Sequence, residues 1–405
     1  MNPEGQIDIT LTVLSSGQKE VTILNNRPVH AAKLLVGKTI DEALTIIPLL
    51  YHVCGKAQGS AAINALQAAT NTRSDETTYL SRTVLSDVEL LREHLLRIFL
   101  DWPCLLEGDE DTHDTSQQMT EFMQFSSRFE AALFRSEKPF SLETIAAPEK
   151  DLAFKILGDL EGFLQTHIFG CTPDLWLKAK ARDVIFHWMR QEKCLSARSC
   201  AVILEKGWAQ EGQTVIPFLP KLTADQCASL LFPNNHLQSD EFIASPSWEG
   251  LPHETSALSR YHQHPLLKLL LAHCGTGLLT RHVSRLVELG LVFARIKHMI
   301  GQLASPSLPV QIRRNASIST TPDFGVGMVD ASRGILIHGA YLEGELIKDY
   351  KILAPTEWNF HPEGVLASAL SNIKGTDEAH IKKIADLLIP AIDPCTKTSL
   401  EVTYA

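Results

Sequence analysis

The chain has 405 residues, 44% of them hydrophobic, enough to bury a sizeable core as one large domain or two to three smaller ones. Its 37 basic and 47 acidic residues leave a formal charge of −10 with no Lys/Arg-dense block, which argues against nucleic acid or an anionic membrane surface as a partner. No apolar run approaches the roughly 18 residues of a membrane span, and the start Met1-Asn2-Pro3-Glu4-Gly5 lacks the basic-then-apolar order of a signal peptide. Eight irregularly spaced cysteines are too sparse for a disulfide scaffold, so a reducing cytoplasm is the expected compartment, where thiols stay free for metals.

In chain order, residues 7–13 alternate apolar and polar and predict a half-buried strand, paired with residues 20–24 across Ser15-Ser16-Gly17. Thr39 is placed to cap a helix running from Asp41 towards the first cysteine. Val88, Leu91, Leu95, Leu96 and Phe99 recur at helical spacing between residues 85 and 99. Residues 107–116 are polar and acidic and read as a solvated loop or linker. Helices are expected over 149–169, 175–190, 266–271 and 278–303, the last with Arg281, Arg285 and Arg295 on its polar side; residues 195–250 read as irregular. Residues 334–341 and 345–353 predict a hairpin around Glu343-Gly344. Thr376 is expected to cap a last helix whose apolar face is Ile381, Ile384, Leu387 and Leu388. The class is mainly α with peripheral β hairpins, and no internal repeat is visible.

Two tags at opposite ends carry the chemistry: Cys54-Gly55-Lys56-Ala57 and Asp393-Pro394-Cys395-Thr396-Lys397-Thr398. Each is a cysteine pair at x-x spacing whose second member is replaced, by Ala57 in one and Thr398 in the other. Deprotonated thiols are soft ligands that suit nickel and iron. Taken without its neighbours, either cysteine reads equally as a small buried hydrophobe. Cys104, Cys171, Cys194, Cys200, Cys227 and Cys274 have no partner spacing and read as core; Cys194 and Cys200 lack the neighbouring His pair of a zinc site. His253, His262 and His264 follow a turn into a helix and are expected to cap or pack.

The words around the two tags resemble the nickel–iron hydrogenase large-subunit family. Five segments do so in the correct order: Glu4-Gly5-Gln6; His52-Val53-Cys54-Gly55-Lys56-Ala57; Glu254 to Arg260; Asp330-Ala331-Ser332-Arg333-Gly334 through to Pro355-Thr356-Glu357-Trp358-Asn359; and Asp393-Pro394-Cys395. The resemblance implies a hydrogenase large-subunit-like helical core that brings the N- and C-terminal motifs together. It is expected as one domain over 1–405: a hairpin and first cysteine motif in 1–65, a helical middle in 66–250 with its acidic loop at 107–116, and a C-terminal half in 251–405. By the same resemblance Cys54 and Cys395 match the terminal nickel ligands, while Ala57 and Thr398 stand where cysteines bridge nickel to iron. Arg333 matches an arginine that donates hydrogen bonds to a cyanide ligand, and Glu4 a carboxylate that relays protons. Pro355, Thr356, Trp358 and Asn359 form a supporting turn. His52 replaces the family's arginine before the first cysteine, and Ala32 and Glu401 stand where the family places a glutamate and a histidine beside a structural divalent ion.

Within the family the pattern resembles the HupK-type hydrogenase expression/formation proteins. It implies a non-catalytic scaffold that receives an Fe(CN)2CO group from maturation chaperone and iron-carrier proteins and hands it to the hydrogenase large subunit, with nickel a weaker expectation. The alternatives are a degenerate hydrogenase or other redox enzyme with a two-thiolate metal site, and a metal-free docking protein for the maturation chaperones.

Overall fold

The structure is a computed structural model, and it describes residues 5–106, 115–179, 181–233, 236–304 and 323–405. Glu4 and most of the acidic stretch, residues 107–114, therefore lie outside the described residues. The chain opens with strands β1 (Gln6–Val13) and β2 (Lys19–Asn25), an antiparallel pair in which Ile9 faces Ile23. Helix α1 (Ile40–Leu50) begins at Thr39, which accepts the Glu42 N–H while the Glu42 carboxylate accepts the Thr39 N–H, a reciprocal capping box. A single 3-10 turn, His52–Cys54, leads into α2 (Gly55–Ala69), and a short link leads to α3 (Glu76–Asp101). Helices α4 (Ser116–Phe134) and α5 (Lys150–Leu164) pack on α3 through Phe99, Phe122, Phe125 and Phe163, whose rings meet at 5.6–6.1 Å. The central α6 (Leu278–Ala304) crosses α3.

Strands β3 (Phe324–Ala331), β4 (Gly334–Glu343) and β5 (Leu346–Leu353) form an antiparallel meander. A short helix α7 (Pro355–Asn359), helix α8 (Glu378–Ile392) and strand β6 (Lys397–Tyr404) finish the chain. Strand β6 pairs in parallel with β1, with Ile7 opposite Thr398 and Thr10 opposite Glu401. This ladder joins the two chain ends, and it sets Cys395 near the first motif.

The mainly helical class with small sheets is the architecture found, but each expected hairpin gains a third strand, β6 on one and β3 on the other. Two glycines explain β3. A Cβ on Gly327 would lie 2.1 Å from the Ala61 carbonyl oxygen, and one on Gly325 2.1 Å from that of Ala65. The strand therefore presses directly onto the backbone of α2, where it meets the small, buried Ala61, Ala65 and Ala68. That close contact fixes α2, the helix that begins next to Cys54, against the meander.

Four expectations change. The polar side of α6 is itself covered, with Arg281 and Arg285 buried: Arg281 binds Glu254 at 2.7 and 3.1 Å, Arg285 approaches Asp393 at 3.5 Å, and Arg295 clasps Asp87 through two bonds of 2.6 and 2.5 Å. The last helix is capped by the Asp377 side chain, which accepts the His380 N–H, and not by Thr376. The helix expected over 175–190 starts at Arg182, after a separate turn at Pro173–Trp176, and residues 195–205 are helical.

Candidate metal centre

Cys54 ends the 3-10 turn and is the N-cap residue of α2; Cys395 sits in the loop between α8 and β6. Both are half-buried free thiols. They line one cavity of ≈ 230 Å³, walled also by Arg27, Tyr51, Gln58 and Glu357. Cys395 also faces a wider groove of ≈ 840 Å³, walled by His52, Arg92, Glu93, Arg333 and Thr398. Fold and sequence thus bring together the two cysteines that stand nearly a full chain length apart.

Among the described residues each sulfur meets a side-chain donor. The Gln58 amide donates to Cys54 Sγ at 3.7 Å, and the Thr356 hydroxyl donates to Cys395 Sγ at 3.1 Å. Burial pushes the Cys54 thiol up to about 12, helped by the negative fields of Glu89 and Cys395 and opposed by Arg333. Glu89, on α3, accepts the Lys56 and Ala57 N–H groups at 2.8 and 2.9 Å, so a carboxylate caps α2 where the second thiol of the motif is missing. Burial lifts Glu89 to about 7 in spite of those two bonds and nearby Arg92.

Two arginines flank the sulfurs. Arg27, in the loop after β2, is ion-paired with Glu357 of α7. Burial works against its charge, but Cys395, Glu357 and Cys54 outweigh it and raise its pKa. Arg333, in the tight β3–β4 turn, is 6% exposed; its Nη2 lies 3.1 Å from Glu93 and its Nε 3.2 Å from Asp393. Here too burial is outweighed, by Asp393, Glu93 and both cysteines, and the pKa rises. Asp393 closes α8 with a left-handed φ of 68° and also faces Arg285 and Arg97 at 3.5 and 3.8 Å. Those three cations hold its carboxyl below the usual range although burial acts the other way.

Residues 355–359 form a short helical turn. Pro355 opens α7, where a missing N–H costs nothing, and Trp358 is fully buried. Asn359 accepts the Thr255 N–H at 3.0 Å and donates to the carbonyls of Thr255 and Arg333 at 2.6 and 3.0 Å. It thereby ties the backbone of Arg333 to the segment that leads to Arg260. The remaining substituted positions are equally plain. Ala57 is buried, and Thr398 lies in the β6 ladder on the groove wall. Ala32 is buried in an apolar cluster, and Glu401 is exposed on β6. His253 and His262 bond the carbonyls of Leu251 and Ser259, and His264 is the N-cap residue of residues 265–274. Among the described residues no group of three or more His, Cys, Asp and Glu side chains is arranged as a metal cage.

Sequence reasoning missed Arg27, Gln58, Glu89, Glu93, Glu357 and Asp393. Glu357 and Asp393 stand inside the quoted motifs, which were the available signal. Glu89 and Glu93 are one turn apart on a helix that also buries Arg82, Asp87 and His94, so no apolar face sets them apart in the sequence. Arg27 carries no local signal.

Residues 242–396 match the nickel-dependent hydrogenase family. Hydrogenase expression/formation protein HoxV of Cupriavidus necator is 26% identical over 388 residues, covering 94% of this chain and 92% of that one. Hydrogenase expression/formation protein HupK of Azotobacter vinelandii is 24% identical over 409 residues, covering 99% of each. Among solved structures, the reduced Ni-Fe-Se hydrogenase of D. vulgaris Hildenborough superposes with a TM-score of 0.63 at 15% identity over 94% of both chains. An NAD+-reducing [NiFe]-hydrogenase in its H2-reduced state gives 0.62 at 16% identity over 94% of this chain and 93% of the other. The chain thus shares the fold of nickel–iron hydrogenase large subunits and is similar over nearly its whole length to hydrogenase expression/formation proteins.

Proposed function

We propose that the chain is a non-catalytic scaffold of nickel–iron hydrogenase maturation, which holds an Fe(CN)2CO group between Cys54 and Cys395 and then releases it to a hydrogenase large subunit. The names of the full-length relatives support a role in hydrogenase maturation. The observation that carries the finer reading is the shared cavity: two thiols from opposite chain ends face it, while the two bridging positions are Ala57 and Thr398. Two thiolates suit one transient metal better than a durable pair of metals, because each protein–metal bond that is absent lowers the barrier to transfer.

Charge supports the same reading. A ferrous Fe(CN)2CO group is neutral, so two bound thiolates make a dianion. Arg27 and Arg333 lie within electrostatic reach of both sulfurs and offset that charge. The Cys54 thiol, pushed up to about 12, is protonated in the metal-free protein, so loading releases protons and unloading takes them back. Arg333 keeps its role as donor to a cyanide in this scheme, with Glu93 and Asp393 holding the guanidinium in place. The partners are the maturation chaperone and iron-carrier proteins that deliver the group and the large subunit that accepts it. Cytoplasmic residence suits free thiols, and among the described residues no helix is long and apolar enough to cross a membrane.

Infrared spectroscopy tests the proposal on protein purified without oxygen from cells that make the maturation machinery, beside a Cys54→Ala/Cys395→Ala variant. Cyanide and carbon monoxide bands in the native protein alone are the expected result. Bands in both proteins place the group on other residues, and bands in neither point instead to a metal-free docking protein.

A further inference from the structure

The donor at Cys54 is not a lone side chain. Gln58, one turn along α2, is 2% exposed; its Nε2 faces Cys54 Sγ at 3.7 Å while its Oε1 meets His338 Nε2 at 2.9 Å. His338, on β4, is fully buried, and its Nδ1 meets the Tyr350 hydroxyl of β5 at 2.8 Å. Three buried side chains from three elements thus run in line from the sulfur into the core.

The inventory of donors and acceptors fixes the direction of this line. A glutamine amide has one acceptor oxygen, and a neutral imidazole one donor and one acceptor nitrogen. With Oε1 on His338 Nε2, the ring carries its proton there and accepts the Tyr350 O–H on Nδ1. Burial keeps the ring neutral by pushing its pKa down to about 3. Reversing the amide would set its NH2 against His338 and its oxygen towards the sulfur. It would also require the ring to move its proton to Nδ1 and Tyr350 to turn its hydroxyl away. Tyr350 and His338 therefore select the amide face that Gln58 shows to Cys54, and the selected face is a donor.

We infer that the line Tyr350–His338–Gln58 is a positioning device that holds an N–H against the Cys54 sulfur and so favours its metal-bound form. This inference rests on the proposed ligand role of Cys54. A donor to sulfur stabilises the thiolate, the form that binds a metal, over the thiol, and it orients the lone pairs toward the cavity side. Outer partners of this kind are worth roughly 10- to 100-fold in metal affinity.

The test uses the full-length chain with cobalt(II) as probe, reading the sulfur-to-cobalt charge-transfer band and its titration. Cys54→Ala reports which part of the band belongs to Cys54. Gln58→Leu is expected to weaken binding by roughly 10- to 100-fold and to move that band to lower energy, since the sulfur loses its donor. Tyr350→Phe is expected to give a smaller change in the same direction. In a Gln58→Leu background it is expected to add nothing, which a merely structural role for Tyr350 would not produce. A Gln58→Leu variant that melts like the native protein and keeps band and affinity overturns the inference, as does additivity of the two substitutions. The S–H stretch of Cys54 in metal-free protein, identified by difference from Cys54→Ala, reads the same contact without any metal. If no Cys54 band forms with cobalt, the ligand reading fails, and a stretch that does not change in Gln58→Leu overturns the positioning role as well.

Discussion

Replacing Glu89 with glutamine probes the electrostatics that surround the first cysteine motif. The buried carboxyl accepts two backbone N–H groups, from Lys56 and Ala57, yet burial raises its pKa from 4.5 to about 7. A carboxyl whose folded pKa lies above its unfolded one binds its proton more tightly in the native state. Its stabilising contribution is complete below about pH 4.5 and is lost as the pH climbs through about 7. At about 1.4 kcal/mol per unit, the rise corresponds to roughly 3 kcal/mol. Urea unfolding of native protein and Glu89→Gln between about pH 5 and pH 8 isolates that contribution, because glutamine does not titrate. The stability difference between the two should shift by roughly 3 kcal/mol across the range, the native protein losing the more. Alkylation of Cys54 should also be faster in the variant above neutral pH, since a negative field next to the thiol is gone. Parallel pH profiles for two folded proteins would refute the reasoning.

Asp393→Asn should destabilise the chain by about 3–5 kcal/mol in urea unfolding, because it leaves buried Arg333 and Arg285 without their shared carboxylate. The folded pKa of Asp393 is depressed, so its contribution is present above the usual aspartate pKa and lost as the pH falls through the folded value; the variant should lose that acid-side slope. Arg27→Met should cost a similar ~3–5 kcal/mol by stranding Glu357, and adding Glu357→Gln should recover part of it in a double-mutant cycle. Ala57→Cys, which restores one bridging thiol, should slow the loss of cyanide and carbon monoxide bands when loaded protein is mixed with large-subunit precursor; an unchanged rate would remove the argument that absent thiolates ease release.

The hairpins were legible because alternation of apolar and polar residues is local, and the capping box at Thr39 was legible for the same reason. Strand β3 was not, because its glycines dilute the apolar pattern, although those glycines are what let it lie against α2. Strand β6 has only Leu400, Val402 and Tyr404 as apolar guides, and its partner β1 is at the other end of the chain. Arg281 and Arg285 look solvent-facing on a helical repeat, since Glu254 and Asp393, which neutralise them, sit on distant segments. The cysteines were readable through the words beside them. Their environment was not, because Arg27, Glu89, Gln58 and His338 reach the site from separate elements and only the fold brings them together.

The two substituted bridging positions are not equivalent losses. Ala57 is held by its backbone, whose N–H bonds Glu89. Thr398 is held differently, by a parallel ladder that runs from Gln6↔Lys397 to Val13↔Tyr404 and ties the segment after Cys395 to the first strand of the chain. A cysteine at 57 would start from a backbone already held by Glu89, whereas one at 398 is bound by the register of β6. The groove beside Cys395, with Thr398 on its wall, is thus maintained by backbone hydrogen bonds that no single side-chain replacement removes. Cys395 stands beside that sheet and lines both the inner cavity and the outer groove, and in the proposed scheme this double access is what lets a cargo enter and leave.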